Sequence, residues 1–244
     1  MLWEPMITLL GTGHVFRIEE QTTFIIRSIW PDAVLVELDA MRYNALKNPR
    51  PVEEGESSKG PWIYRHVAKY QKRMAGEYGG TVGAEMLAAV EAGMTVGAAI
   101  EFIDSDSMET VNRLWQEMPL REKVRLLFSF IRGNKASKED LETEFQNYSD
   151  NEELYIQQMR GSYPTLVEVL IDSRNQKMAD RIRAAAQRHQ RIVAVVGDGH
   201  VEGIASLLAD LEPKTIRLKV LMDEESMNGL RRELSSPQGT AGGE

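Results

Sequence analysis

The chain contains no cysteine. Disulfides and thiolate chemistry are therefore excluded, and a cytoplasmic setting is the expectation. Basic residues are the minority among the charges, 29 Lys and Arg against 37 Asp and Glu, for a formal net charge of -8. Phosphate contacts need clustered Lys and Arg, so general nucleic-acid binding is excluded as a reading. An anionic membrane surface is disfavoured for the same reason. No apolar run approaches the roughly 20 residues of a membrane helix. The opening "MLWEPMITLLGTG" lacks the basic stretch that precedes the apolar core of a signal peptide. Two phosphate-binding signatures are also missing. No Gly-Lys-Ser/Thr follows a glycine loop, and neither glycine-rich loop completes the G-x-G-x-x-G spacing.

What is present is ordinary in bulk: 244 residues, 42% hydrophobic and 27% charged, enough for one sizeable core or two small ones. Met6–Leu10 reads as a buried strand, 15–28 as an amphipathic helix, and "DAVLVELD" after Pro31 as a second strand. Residues 47–62 carry three prolines and two glycines and read as a loop. A helix is predicted over about 63–75, and another follows the glycines of "GEYGGTVGAEMLAAVEAG". "MTVGAAIEFID" (94–104) reads as a third strand. From about 107 to 190 the pattern is mostly helical, with one helix expected to start at Ser137. "VRLLFSFI" within it reads first as core and second as a homodimer face. "RIVAVVGDGH" is a further strand, "VEGIASLLADL" a helix and "TIRLKVLMD" a last strand. Residues 1–234 are expected to form one α/β domain, followed by a disordered tail over 235–244.

The two ends of the chain repeat each other. Strand, GTGHV, helix, Pro31, strand is matched by strand, GDGHV, helix, Pro213, strand. The expected core is thus a central mixed sheet built from two pseudo-symmetric βαβ half-units, with a helical middle region. Ligands of such sheets bind beyond the C-terminal strand ends, where His14 and His200 would stand, each at the mouth of a helix. A helix N-terminus opposes protonation of a histidine, and a neutral imidazole can bind a metal or take a proton. Carboxylates for the same site are available in Glu37, Asp39, Asp104, Asp106 and Glu85. Each has a plainer reading. His14 and His200 could be structural hydrogen-bonders, Glu37 and Asp39 helix caps, and Asp106 part of an N-cap region. Glu85 alone reads as a solvated helix residue and Arg174 as helix-surface charge. His66 and His189 read as surface residues.

The motifs "GTGHV" and "VVGDGHVEGI" resemble the two Gly-x-x-His motifs of the TraB/PrgY group, which is related more distantly to GumN and the Tiki proteases. "PDAVLVELDAMR", "GAEM", "FIDSD", "LREKV" and "IDSRNQKMADRI" stand in the family's order between residues 7 and 211. The resemblance implies an α/β core of the EreA/ChaN kind and a metal-dependent, peptidase-like site. Carried over position by position, its residues are His14, Glu37, Arg42, Glu85, Arg174 and His200. His14 and His200, with Glu37 or Glu85, would bind a divalent zinc, manganese or cobalt ion. A remaining carboxylate would be the general base, and Arg42 or Arg174 would hold an oxyanion or a peptide carboxylate. Tiki relatives trim extracellular signalling proteins and PrgY-like relatives block peptide-pheromone signalling. The implied partner is therefore a peptide or protein substrate, and the alternative is a non-catalytic peptide-sequestering protein. Ser105 and Ser173 depart from the family pattern, which has an arginine and a glutamate there, and they favour that alternative. Many relatives continue into C-terminal membrane helices, so this chain is expected to be a short form or an excised soluble domain.

Overall fold

The computed structural model describes residues 5–13, 16–48, 82–133 and 152–235. His14, His66, the helix predicted over 63–75, Ser137 and most of the tail lie outside the described residues, as does the loop beyond Asn48. Among the described residues five strands appear in chain order: β1 (Met6–Thr12), β2 (Ala33–Val36), β3 (Ala99–Phe102), β4 (Arg191–Gly197) and β5 (Lys214–Ile216). They form one sheet in the order β3-β2-β4-β1-β5, and every pairing is parallel. The expected mixed sheet is thereby corrected. The connections from β1 to β2 and from β4 to β5 each carry a helix, and helical crossovers return the chain in the same direction, where hairpins would reverse it.

The helices are α1 (Glu19–Ile29), α2 (Ala40–Lys47), α3 (Ala84–Thr95), α4 (Ser107–Glu117), α5 (Leu120–Gly133), α6 (Glu152–Ser162), α7 (Pro164–Val167), α8 (Ser173–Ala186), α9 (Asp198–Leu207), α10 (Leu218–Met222) and α11 (Glu224–Ser235). A π-helical stretch, Glu168–Asp172, stands between α7 and α8. No helix among the described residues is long and apolar enough to cross a membrane. The chain divides into two compact units. One comprises residues up to Asp106 together with those from Asn175 onward, and the other is Ser107–Arg174.

The first unit holds the sheet. The four residues of β2 are all buried, as are five of the seven in β4. Such unbroken apolar runs are what a parallel sheet covered on both faces requires. On one face Ile7, Leu9, Leu35, Ala194 and Val196 pack with Met178 and Ile182 of α8 and with Val201 and Ile204 of α9. On the other lies α3, whose Gly93 approaches Val34 and Ile100 so closely that a Cβ would sit 2.7–3.1 Å from their side chains. Helix α1 packs against α3 through a buried stripe of Thr22, Ile25 and Ile26.

Two sequence-based boundaries move. Helix α1 begins at Glu19 and not at residue 15. The last predicted strand shortens to Lys214–Ile216, because Leu218 and Leu221 are buried three residues apart and the chain turns helical to bury both. In the second unit, Glu122 of α5 is buried and accepts hydrogen bonds from the Thr165 N–H and hydroxyl at 3.2 and 3.1 Å, capping the start of α7. Within "VRLLFSFI", Leu126 is buried whereas Val124 and Phe128 are exposed.

Replacing Gly93 by Val should overpack the α3–sheet contact. The expected loss is about 1–3 kcal/mol of unfolding free energy, read as a lower denaturant midpoint at unchanged slope. An unchanged midpoint would show that α3 does not lie this close to β2 and β3.

Candidate functional site

Strands β4 and β1 are neighbours at the centre of the sheet, but their outgoing connections part. From β1 the chain crosses to β2 on one side, and from β4 it crosses to β5 on the other. The C-terminal ends of such a pair bound the crevice where ligands of open parallel sheets bind. Gly11 pairs with Val196 and Thr12 with Gly197, so the two glycine loops leave the sheet side by side.

Glu37 follows β2 directly. The Leu38 N–H closes a tight turn on the Val36 carbonyl at 2.7 Å, while the Glu37 N–H continues the ladder to Val195. This bends the chain at Glu37 beside the end of β4. Its buried carboxylate accepts the Gly197 N–H through Oε2 at 2.6 Å. The other oxygen, Oε1, lies 3.6 Å from Nε2 of His200. Gly197 is also the residue from which α9 starts, so His200 stands in the first turn of that helix.

Asn175, in the first full turn of α8, holds the opposite side of the imidazole. Its Oδ1 lies 2.6 Å from Nδ1 of His200. The two atoms form a short, buried hydrogen bond between α8 and α9. Asn175 and His200 are both buried. The contact depends on Gly203, one turn along α9 from His200. A Cβ there would lie 2.2 Å from Nδ2 of Asn175.

Asp198 closes the first turn of α9 onto β1 and β5. Its carboxylate takes Nε and an Nη of Arg217 at 2.9 and 2.7 Å, and Oδ1 also accepts the Leu218 N–H at 2.8 Å. Gly11 leaves the space it occupies, since a Cβ at Gly11 would sit 2.2 Å from Oδ1 of Asp198.

The remaining sequence candidates fall in different places. Arg42, in the first turn of α2, donates to Asp104 at 3.1 Å, and its own N–H is capped by Asp39 at 2.8 Å. Arg181 ties the same corner down by donating to the carbonyls of Phe102 and Asp104. Glu85 is not a solvated helix residue, because it is buried in the first turn of α3. That turn lies toward the C-terminal strand edge, since α3 ends just before β3 begins, and a helix N-terminus favours a carboxylate. Arg174 belongs to the second unit and donates to the Leu170 carbonyl of its own helical segment at 3.2 Å. His189 lies 3.4 Å from Glu101.

A divalent ion can be tested against this geometry. Among the described residues no group of three or more His, Asp or Glu side chains is arranged to hold a metal. Two donors do face each other. Nε2 of His200 lies 3.6 Å from the carboxylate oxygen Oε1 of Glu37, and an Nε2 without a hydrogen is a metal donor. Bonds of about 2 Å from each atom to one ion would span that gap. An outward N–H held by a side-chain oxygen is also how metal-binding histidines are oriented. The pair thus fits one ion as two of its ligands.

The sequence profile of the TraB/PrgY/gumN family matches residues 4–219. The chain belongs to the TraB/PrgY/gumN family. It is 34% identical over 218 residues to the uncharacterised protein MJ1365 of Methanocaldococcus jannaschii, a match covering 84% of this chain and 54% of that relative. The chain therefore spans about half the length of the curated relative it matches. In this TraB/PrgY/gumN member two buried polar residues carry structure that the glycine–histidine motifs alone do not announce. Asn175 heads the buried stripe Asn175, Met178, Ala179, Ile182 of α8, and a polar residue on an apolar helix face is a readable signal. Asp198 had no such signal in the sequence.

Removing the Asp198 carboxylate takes the acceptor from the Leu218 N–H and the two short bonds from the Arg217 guanidinium, which keeps Glu202 at 3.6 Å. Asp198→Ala should cost about 2–4 kcal/mol of stability. Asp198→Ala and Arg217→Ala should be non-additive in a double-mutant cycle by about 1–3 kcal/mol. Additive losses would contradict the clamp.

Proposed function

We propose that the protein is a metal-dependent hydrolase that cleaves peptide bonds in peptides or signalling polypeptides. The observation that supports this reading most is the facing pair of Glu37 Oε1 and His200 Nε2 at the mouth of the central crevice. Glu37 and His200, together with His14, would hold a zinc, manganese or cobalt ion. When bound, such an ion lowers the pKa of a water and polarises a carbonyl.

The chain's own groups divide the remaining work. Gly197 anchors one oxygen of Glu37 so that the other stays aimed. Asn175 keeps the His200 ring in one orientation. Glu85, buried at a helix N-terminus, is the general base that holds the proton taken from water. Arg42, fixed by Asp39 and Asp104, offers its remaining N–H groups to a developing oxyanion or to a peptide carboxylate. Arg174 is the alternative for that role. The two glycine–histidine arms are read as halves of a pseudo-symmetric, EreA/ChaN-like pair, a view supported by the side-by-side register of β1 and β4. The lack of cysteine supports a cytoplasmic setting. Exposed Val124 and Phe128 support a homodimer through α5.

The second reading is a peptide-sequestering protein without catalysis, favoured by Ser105 and Ser173. The Ser173 hydroxyl donates to the Val169 carbonyl within its own helical segment, so it replaces neither the charge nor the reach of the family's glutamate.

Elemental analysis of the purified full chain, beside a peptide-library cleavage assay, separates the readings. The expected result is a stoichiometric divalent ion, lost in His200→Ala. Cleavage should fall by about 10²–10⁴-fold in Glu85→Gln, the range for losing a general base. Peptide binding with no bound ion, and with cleavage absent or indifferent to His14→Ala and His200→Ala, would establish the sequestering role instead.

A further inference from the structure

We infer that Asn175 is a positioning residue that locks His200 in the tautomer with its hydrogen on Nδ1, so that Nε2 is the nitrogen offered at the mouth of the crevice. The argument is one of hydrogen-bond bookkeeping. Nδ1 of His200 lies 2.6 Å from Oδ1 of Asn175, an atom that has no hydrogen to give. Nδ1 must therefore be the donor whether the ring is neutral or protonated. When the ring is neutral, the bare nitrogen is Nε2, 3.6 Å from Glu37.

That choice runs against the Glu37 carboxylate, 3.6 Å from Nε2. Glu37 alone would attract a hydrogen onto Nε2 and select the other tautomer. Its Oε2 is already held by the Gly197 N–H at 2.6 Å, which leaves Oε1 turned to the imidazole. The contact at 2.6 Å outweighs the one at 3.6 Å, because a separation of 3.6 Å lies beyond hydrogen-bond range. Asn175 can reach so close only because position 203 lacks a side chain. Its Nδ2 occupies the space a Cβ of residue 203 would take. Asn175, Gly203 and His200 thus act as one device, in which the close approach of α8 and α9 decides which ring nitrogen faces the crevice.

The role of His200 as a metal ligand rests on the proposed function. The tautomer does not, and it is measured on the full chain without metal or substrate. The chain has four histidines, so their ring nitrogens can be resolved by ¹⁵N–¹H correlation spectra. The His200 signals are assigned by their loss in His200→Gln. Spectra are recorded in chelator at a pH where the ring is neutral. Wild-type His200 should show a protonated Nδ1 and a bare Nε2. Asn175→Asp, which keeps an acceptor oxygen, should retain that pattern. Asn175→Leu should move the hydrogen to Nε2, toward Glu37, and Gly203→Ala should do the same from outside the ring. A wild-type ring protonated on Nε2 overturns the inference without any variant. So does an unchanged pattern in a folded Asn175→Leu. A confirmed tautomer with no metal uptake would overturn the proposed function and leave the positioning role intact.

Discussion

Seven residues of β1 lie in parallel register with seven of β4, from Met6 opposite Arg191 to Thr12 opposite Gly197. Everything at the site is measured from that ladder. It places the ends of both glycine loops side by side. It sets Gly197 where its amide meets Glu37 and where α9 begins. It brings Gly11 against Asp198, and so fixes the first turn of the helix that carries His200. A slip of one residue would turn every inward side chain of the strand outward. It would also put a Cβ of the wrong residue where the Asp198 carboxylate lies.

Three of the close approaches at glycines share one logic. Gly11 admits a carboxylate, Gly203 an amide and Gly93 a pair of aliphatic side chains. Their use is the missing Cβ, which lets polar or bulky neighbours come within hydrogen-bonding or packing reach. At the first two positions the group admitted is charged or polar and buried, where an unmatched partner is costly. The site is consequently held from several elements, Asp198 by Arg217 and the Leu218 N–H, Glu37 by the Gly197 N–H and His200 by Asn175.

Much of this could be read from the residues. The apolar runs of β1, β2 and β4 and the Gly-x-Gly-His repeats marked the strands and the crevice, because buried parallel strands write themselves as continuous hydrophobic segments. Strand direction was not legible, since an apolar run looks the same pointing either way. The end of β5 was misread because "TIRLKVLMD" satisfies both alternation and helical spacing, and only the burial of Leu218 and Leu221 decides between them. Glu85 looked solvated because a single glutamate in a helix usually is, and its burial depends on elements distant in sequence. Asn175 stood in plain view on a stripe of apolar positions. What sequence could not supply was its partner, which lies 25 residues downstream across a helix–helix contact.

The central ladder has a consequence for how the molecule comes into being. Thr12 and its partner Val196 are 184 residues apart along the chain. During synthesis β1 emerges early, yet its neighbour in the middle of the sheet is made only after the whole of Ser107–Arg174 has appeared. Contacts so distant in sequence form late and slowly. An incomplete chain therefore has β2 and β3 able to pair with each other, but no central strand between β2 and β1. The crevice, and the histidine at its mouth, come into existence only once β4 and α9 have been made.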